Sequence, residues 1–295
     1  MSINKIGWIG TGVMGKSMCK HLLKNGYDLA VFNRTEEKTR ELIESGARFE
    51  LPKIMSKNCD AIFLMLGYPK DVEDMTIGSE GILKSMKKGS FLIDHTTSSP
   101  NLAKRIYKES LERGVHSYDA PVSGGDIGAR NGKLVVMCGG GQEKFKHVEN
   151  VMMSYSSKIK LFGEAGQGQN AKMANQIIIG STMIGLVEGL IYGYKTGLNL
   201  EELINLLGTG AAGSFSMNSY GPRILKRDFD PGFYVDHFVK DLQIALEECE
   251  KMNLNLKGLE LALSFYKFLQ EEGHGRKGTQ ALVLALEKMN NISIL

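Results

Sequence analysis

Two patterns of hydrophobic and polar positions divide the chain. In the first half, short apolar runs that are typical of strands alternate with segments of helical period, several of which end at a glycine. The strand candidates are residues 6–9, 29–32, 61–66, 90–94 and 134–137, and the clearest helix candidates are residues 15–24, 36–45 and 101–113. This alternation predicts an α/β fold with a doubly wound parallel sheet, the Rossmann arrangement.

The second half lacks strand signals after about Phe162. Residues 169–195 are apolar on nearly every face, which predicts one long buried helix. Shorter helical periods follow at residues 201–207, 239–252, 259–270 and 280–289. We therefore predict a dinucleotide-binding domain over residues 1–163, linked by the long helix to an all-α domain over residues 164–295 that serves substrate binding and oligomerisation.

Glycines recur along the predicted long helix, at Gly180, Gly185, Gly189 and Gly193. A glycine lets a second helix approach closely, and the apolar character of this domain leads us to expect a homo-oligomer, a dimer or a tetramer. The pattern does not separate packing within one subunit from packing between subunits.

Composition and charge are those of an ordinary globular protein. The 295 residues are 42% hydrophobic and 23% charged, and 36 basic side chains against 33 acidic ones give a net charge of +3. No run of five basic residues occurs, so nucleic acid is not an expected partner. The N-terminal sequence lacks a secretory pattern, and no run of about 18 apolar residues predicts a membrane span. Four dispersed cysteines are typical of reduced thiols in a cytoplasmic protein.

A glycine-rich motif follows the first predicted strand and opens the first predicted helix. Its residues are Gly10, Thr11, Gly12, Val13, Met14 and Gly15, which match G-x-G-x-x-G. The first glycine of such a motif permits a tight turn, the second lets the backbone approach a pyrophosphate, and the third allows close packing of helix on strand. The motif therefore predicts a dinucleotide site.

The end of the second predicted strand bears on the choice of cofactor. Sites that prefer NAD usually carry Asp or Glu there, whereas this chain has Asn33, Arg34 and Thr35. A neutral residue followed by an arginine removes repulsion against a 2′-phosphate and supplies a charged donor for it. NADP is therefore favoured, and NAD stays possible if Arg34 is only a solvated turn residue.

Two segments suggest the chemistry. Ser123, Gly124 and Gly125 could present a hydroxyl and consecutive N–H groups to a carboxylate, although a plain turn has the same sequence. Lys172 and Asn175 lie three residues apart near the start of the long helix, and therefore on one face. A lysine in an apolar helix is costly unless it is paired or lines a wet cleft, and its ammonium can protonate an oxyanion. The alternative is a lysine whose amine extends to the surface.

Four segments together resemble the β-hydroxyacid dehydrogenase family. They are GWIGTGVMG at residues 7–15, DAPVSGG at 119–125, GQGQNAKMAN at 166–175 and FVKDL at 238–242. The resemblance implies that Lys172 is the catalytic acid/base, that Asn175 orients the substrate, and that residues 123–125 hold its carboxylate. It also implies that Lys240 reaches the substrate and the nicotinamide.

The resemblance assigns further cofactor contacts to Thr97 and to the Leu66-Gly67 loop on the adenosine side. The 3-hydroxyisobutyrate dehydrogenases usually have Leu-Pro in that loop, so Gly67 departs from their pattern. Residues 33–35 are more similar to the NADPH-using semialdehyde reductases, whereas the stretch from residue 119 to Arg130 is more similar to the 3-hydroxyisobutyrate branch.

The resulting hypothesis is an NAD(P)-dependent 3-hydroxyacid dehydrogenase, with 3-hydroxyisobutyrate as the first candidate substrate. An NADPH-dependent reductase of glyoxylate, succinic semialdehyde or tartronate semialdehyde is the alternative. A catalytically silent NADP-binding sensor or scaffold, and an imine reductase, are less favoured because Lys172 is present. No Tyr-x-x-x-Lys motif and no spacing of Cys and His typical of a metal site occur, and His95 and His237 are expected to be structural.

Overall fold

The computed structural model describes residues 3–294. The chain forms two compact units, the first extending to Lys172 and the second beginning at Met173. The division therefore falls inside the long helix, whereas the sequence pattern placed it between residues 163 and 164. The first turns of the helix group with the first unit because the Gln169 N–H and the Gln169 side-chain amide form hydrogen bonds with Asp119, Thr96 and Ser98.

The first unit contains one sheet whose order is β3-β2-β1-β4-β5-β6-β8-β7, with β9 paired to β8. The strands are β1 Lys5–Ile9, β2 Asp28–Phe32, β3 Arg48–Phe49, β4 Ala61–Leu64, β5 Phe91–Asp94, β6 His116–Asp119, β7 Val122–Ser123, β8 Leu134–Gly140 and β9 Ser156–Leu161. Strands β1 to β6 pair in parallel, which confirms the predicted doubly wound sheet.

One predicted strand departs from the parallel arrangement. Residues 134–137 were expected to join the parallel sheet, but β8 runs antiparallel to both β6 and β7. The reason is the short connection between β7 and β8, since a parallel return needs a crossover of about a dozen residues or more. Strand β9, which follows a full helix, does return in parallel to β8.

Helices cover the sheet of the first unit. They are α1 Val13–Lys24, α2 Arg40–Glu44, α3 Pro52–Asn58, α4 Pro69–Thr76, α5 Pro100–Glu112, α6 Gly125–Arg130 and α7 Phe145–Met152. Successive strand residues alternate between two apolar clusters: Trp8 and Phe63 belong to one, and Ile9 and Leu64 to the other. Both faces of the sheet are therefore buried, which explains why its central strands are continuous apolar runs.

The second unit is helical, as predicted. Its elements are the greater part of α8 Gln167–Lys195, then α9 Leu200–Leu207, α10 Gly221–Leu225, α11 Val235–Lys251, α12 Lys257–Leu269 and α13 Leu282–Asn290. One apolar core joins these helices, with Val187, Phe238, Leu242 and Tyr266 fully buried in it. Within residues 3–294, the only extended pairing in this unit is the isolated bridge between Tyr234 and Gly278.

The expectation that α8 is buried on every face is wrong for part of its length. Met183 is fully buried, but Ile178 is 63% exposed and Tyr192 is 71% exposed. A Cβ at Gly180 would lie 3.0 Å from Ala262, so that glycine serves packing within the subunit, whereas a Cβ at Gly185 would meet nothing within 4 Å. An apolar sequence without period cannot show which face is covered. Coverage of the open face by a second subunit stays a prediction.

Helix α8 also meets a length and composition test for membrane spans. Its most apolar 18-residue window has a mean hydropathy of 1.5 and is 39% buried. The central helix of a soluble protein meets the same test, so one such helix is weak evidence for a membrane.

Candidate active site

The glycine-rich turn lies between β1 and α1 and is fixed by a hydrogen bond from the buried Trp8 side chain. Gly10 has φ +101°, a conformation that favours glycine, and its carbonyl accepts a hydrogen bond of 2.9 Å from the Trp8 indole. The first N–H groups of α1 have no carbonyl one turn earlier to bind, and no side chain caps them. They are the donors that a pyrophosphate requires.

The three glycines of the motif meet different surroundings. A Cβ at Gly10 would lie 2.2 Å from the Met65 carbonyl oxygen, and one at Gly15 would lie 2.0 Å from the Gly10 carbonyl oxygen. A Cβ at Gly12 would meet nothing within 4 Å. The loop is therefore tightly packed at Gly10 and Gly15 and open at Gly12. This arrangement leaves the backbone at Gly12 accessible to a dinucleotide phosphate.

This difference predicts opposite outcomes for two alanine variants. Gly15→Ala is expected to lower the free energy of unfolding by about 3 kcal/mol, because the methyl group overlaps a backbone oxygen. Gly12→Ala is expected to keep the stability of the parent protein but to bind NADPH more weakly. Thermal unfolding and NADPH titration, followed through the fluorescence of Trp8, the only tryptophan, check both results. Equal loss of stability in the two variants would contradict the assignment.

Residues 33–35 leave β2 beside this turn. The Asn33 side chain accepts from the Thr11 N–H at 3.1 Å and donates to the Thr35 carbonyl at 2.9 Å, so it braces the loop. Thr11 itself is buried and donates its hydroxyl to the Lys38 carbonyl. Arg34 is 91% exposed, and its nearest carboxylate oxygen, on Asp71, lies 3.8 Å away. Of these residues, Arg34 therefore has the most freedom to meet a ligand.

The loops after β4 and β5 adjoin the same turn. The Leu66 N–H donates to the Thr96 hydroxyl at 2.9 Å, and Leu66 also lies beside the position of a Gly10 Cβ. Gly67 and Thr97 are partly exposed on these loops. The carboxyl ends of β1, β2, β4 and β5 thus bring the predicted cofactor residues to one edge of the sheet, where ligands bind in open α/β sheets.

The predicted carboxylate site follows β7. Ser123, Gly124 and Gly125 are all partly exposed, and Gly124 has φ +123° at the residue that precedes α6. A Cβ at Gly125 would meet nothing within 4 Å. The backbone of the turn is therefore open at Gly125, whereas at Gly124 a Cβ would lie 3.4 Å from Leu134.

Lys172 lies beside this turn. Its side chain is bound within the first unit, where Nζ donates to the Val122 carbonyl oxygen at 2.8 Å, and the residue is only 7% exposed. The alternative of a lysine extended to the surface is therefore wrong. The acceptor Val122 directly precedes Ser123, so the buried ammonium lies near the predicted carboxylate site. From there it can contact a bound substrate and transfer a proton to it.

Two buried polar side chains beside Lys172 received no role from the sequence. The Asp119 carboxylate accepts from the Gly166 and Gln169 N–H groups at 2.7 and 2.8 Å. The Gln169 side chain donates to the Thr96 carbonyl at 2.8 Å and accepts from the Ser98 N–H at 2.9 Å. Both belong to the quoted motifs, and a polar residue such as Gln169 in an apolar helix is the signal that could have identified it.

The second unit contains the other two predicted site residues. The Asn175 side chain donates to the side-chain amide oxygen Oε1 of Gln176 at 2.7 Å, and the Gln176 side chain donates to the Asp241 carboxylate at 2.7 Å. Lys240 Nζ lies 2.8 Å from the other Asp241 oxygen. Gln176 and Asp241 are buried and were not identified from the sequence. The network joins Asn175 to Lys240 within the helical unit.

The two histidines near the motifs have structural surroundings. His95 is buried between the Ala120 carbonyl, 2.6 Å from Nδ1, and the Tyr155 hydroxyl, 2.9 Å from Nε2. Burial lowers the pKa of His95 to about 4, so the ring is neutral at physiological pH. Burial, followed by the charge of Lys240, lowers the pKa of His237. No cluster of three His, Cys, Asp or Glu residues suited to a metal ion occurs among residues 3–294.

Two family models match nearly the whole chain. The NAD binding domain of 6-phosphogluconate dehydrogenase matches residues 5–163, and the NAD-binding domain of NADP-dependent 3-hydroxyisobutyrate dehydrogenase matches residues 166–286. The first of these alone covers more than half of the chain. A nicotinamide dinucleotide is therefore the cofactor class, in agreement with the geometry of the glycine-rich turn.

Two relatives that match over nearly their full length agree with these family models. Probable 3-hydroxyisobutyrate dehydrogenase-like 1, mitochondrial, of Arabidopsis thaliana is 51% identical over 295 residues, which cover 99% of this chain and 88% of that protein. The 2-hydroxy-3-oxopropionate reductase of Escherichia coli (strain K12) is 34% identical over 97% of this chain and 98% of its own length.

The crystal structure of 3-hydroxyisobutyrate dehydrogenase from Salmonella typhimurium has a TM-score of 0.87. It is 21% identical and covers 95% of this chain and 99% of its own, and it supports the fold alone. The family models and the full-length relatives, together with the glycine-rich turn and Lys172, show that the chain belongs to the β-hydroxyacid dehydrogenase family of NAD(P)-dependent oxidoreductases.

Proposed function

We propose that the protein interconverts a short β-hydroxy acid and its semialdehyde with NADP(H), and that 3-hydroxyisobutyrate is the first candidate substrate. The observation that carries the proposal is the buried Lys172 ammonium, bound to the Val122 carbonyl next to Ser123. A fixed proton donor beside an exposed Ser-Gly-Gly turn suits a substrate with a carboxylate at one end and a reacting oxygen a few bonds away.

The reaction divides between the cofactor and the chain. A bound nicotinamide supplies or accepts the hydride at the carbinol carbon. Lys172 donates a proton to the carbonyl oxygen during reduction and accepts it from the hydroxyl during oxidation. Ser123, Gly124 and Gly125 bind the carboxylate. The hydrogen bond to the Val122 carbonyl keeps the Lys172 amine next to this turn. The resemblance implies that Asn175 orients the substrate and that Lys240 reaches the substrate and the nicotinamide.

The preference for NADP over NAD rests on Arg34. The side chain is 91% exposed beside the braced Asn33, so it can turn toward a 2′-phosphate without breaking a close ion pair. The family model that matches residues 166–286 is named for an NADP-dependent 3-hydroxyisobutyrate dehydrogenase, which supports the same preference. NADPH is therefore the proposed physiological cofactor.

Reduction of glyoxylate, succinic semialdehyde or tartronate semialdehyde is the second candidate function. Gly67 departs from the Leu-Pro of 3-hydroxyisobutyrate dehydrogenases, and residues 33–35 are similar to the NADPH-using reductases. The Escherichia coli relative is named for reduction of 2-hydroxy-3-oxopropionate. All of these substrates combine a carboxylate with a nearby carbonyl, so the same groups would act on them.

Initial rates with a panel of substrates test the proposal. NADPH and NADH oxidation is followed with methylmalonate, succinic and tartronate semialdehydes and with glyoxylate, and NADP⁺ and NAD⁺ reduction with 3-hydroxyisobutyrate. We expect turnover in both directions for the 3-hydroxyisobutyrate pair and higher kcat/KM with NADPH than with NADH. Turnover confined to another semialdehyde selects the second candidate. Tight binding of NADPH with no turnover across the panel overturns both and favours a silent cofactor-binding protein.

A further inference from the structure

We infer that Asp119 and Gln169 are positioning residues, here called the α8 clamp, which hold Lys172 in place relative to the loops after β5 and β7. The inference rests on the proposed function, because it assigns the proton transfer to Lys172. Neither clamp residue is placed in contact with the reacting atoms. Both act through hydrogen bonds to the backbone of the segments that carry the site.

Asp119 fixes the start of α8. It ends β6, is 5% exposed, and accepts from the N–H groups of Gly166 and Gln169 with separate carboxylate oxygens. Gly166 immediately precedes the 29-residue helix and Gln169 lies in its first turn, where free N–H groups and the helix dipole favour a negative charge. The carboxylate therefore caps the start of α8 through Gly166, which lies 47 residues later in the chain.

Close approach of glycine backbone makes this cap possible. A Cβ at Gly168 would lie 2.6 Å from the Asp119 carbonyl oxygen and 2.5 Å from that of Met137. A Cβ at Gly139 would lie 2.7 Å from the Asp119 carboxylate. No side chain fits between the start of the helix and the ends of β6 and β8, so the position of the helix start is determined closely by the sheet.

Gln169 fixes the same turn to the loop after β5. The residue is fully buried, and its amide bonds the Thr96 carbonyl and the Ser98 N–H, the two residues that flank Thr97. Thr97 is the predicted cofactor contact of that loop. One side chain thus spans from the helix that carries Lys172 to the loop that carries Thr97.

The clamp residues and Lys172 join the segment 119–122 to the segment 169–172. Asp119 lies three residues before Val122 in the chain, and Gln169 lies three residues before Lys172 on the helix. The Asp119 cap and the bond from Lys172 to the Val122 carbonyl therefore tie the two segments together at both ends. Loss of either clamp residue frees the helix turn to shift, and a misplacement of about 1 Å can cost about 10²-fold in rate.

Two variants that preserve shape test the inference. Asp119→Asn keeps the size of the side chain but presents an amide to two N–H donors, and Gln169→Met keeps its length without hydrogen bonds. Gln167→Met is the matched control, because Gln167 lies in the same turn but is exposed. Each enzyme is assayed with the best substrate of the panel for kcat, KM, the pH dependence of kcat and the isotope effect with 4-deuterated NADPH. NADPH binding gives the concentration of folded sites.

We expect both clamp variants to lose at least about tenfold in kcat per folded site, with a larger isotope effect and a shifted pH profile. Gln169→Met is also expected to bind NADPH several-fold more weakly, whereas Asp119→Asn binds it normally. If one variant fails to fold, the other decides. Clamp variants with the kcat, pH profile and isotope effect of the parent enzyme overturn the inference, as does a loss of activity that only follows the loss of folded sites.

The Lys172→Ala enzyme separates this inference from the proposed function. If that enzyme retains full turnover, the assignment of proton transfer to Lys172 is wrong and the clamp has no catalytic role. If it is inactive while both clamp variants are fully active, only the inference about the clamp fails.

Discussion

Lys172→Ala is expected to lower kcat by about 10³-fold while NADPH binds as in the parent enzyme. The variant removes the ammonium bound at the Val122 carbonyl, so the substrate oxygen loses its proposed proton donor. The glycine-rich turn and the loops after β2 and β4 are held by their own hydrogen bonds, from the Thr11 N–H to Asn33, from Asn33 to the Thr35 carbonyl and from the Leu66 N–H to Thr96, so the cofactor site is expected to persist. Steady-state rates with the best substrate of the panel, together with NADPH titration by Trp8 fluorescence, check both parts.

The control for this variant is Lys195→Ala. Lys195 lies in the last turn of the same helix and is exposed, so its loss removes one positive charge from α8 without affecting the site. We expect the rates of the parent enzyme from it. Addition of a small primary amine should restore part of the activity of Lys172→Ala, because the amine can occupy the space of the lost side chain. Retained turnover without an added amine would show that Lys172 is not the proton donor.

Arg34→Ala is expected to lower kcat/KM for NADPH by about 10- to 100-fold and to leave the value for NADH nearly unchanged. The estimate corresponds to about 1.5–3 kcal/mol for hydrogen bonds to a charged group. Arg34 is exposed and its pair with Asp71 is long, so the variant should not change the stability of the fold. The ratio of the two kcat/KM values, measured at one ionic strength, checks the result.

The matched variant for this test is Arg40→Ala. Arg40 begins α2 and is exposed, so its loss changes the net charge equally. It should affect both cofactors alike and only slightly. An equal loss with NADPH and NADH in Arg34→Ala would contradict a 2′-phosphate contact and would leave the preference for NADP without support.

Sequence patterns predicted most of the fold because the central strands and the long helices are marked by the hydrophobicity of contiguous residues. The central strands at Ile6, Leu29, Ile62 and Leu92 are apolar runs buried on both faces, and such runs stand out without knowledge of their neighbours. The strands that were missed, β3, β6, β7 and β9, are very short or contain serine, lysine and histidine. Only pairing with a neighbouring strand makes them extended.

Tertiary contacts decided features that no local pattern carries. The polarity of β8 depends on the short connection from β7, and the exposed face of α8 depends on which helices pack against Met183 and Gly180. The same holds for the roles of Asp119 and Gln169. Their partners lie 47 to 73 residues away in the chain, so the hydrogen bonds exist only after the sheet and helix have come together.

The sequence by itself determined the Rossmann architecture and the cofactor class and singled out Lys172 as the candidate acid/base, because motif spacing and hydrophobic period are properties of contiguous residues. The tertiary structure alone decided that the Lys172 amine is buried on the Val122 carbonyl and that Asp119 caps the helix that carries it. The physical reason is that burial and long-range hydrogen bonds depend on which segments meet in space, and segments far apart in the chain meet only in the folded protein.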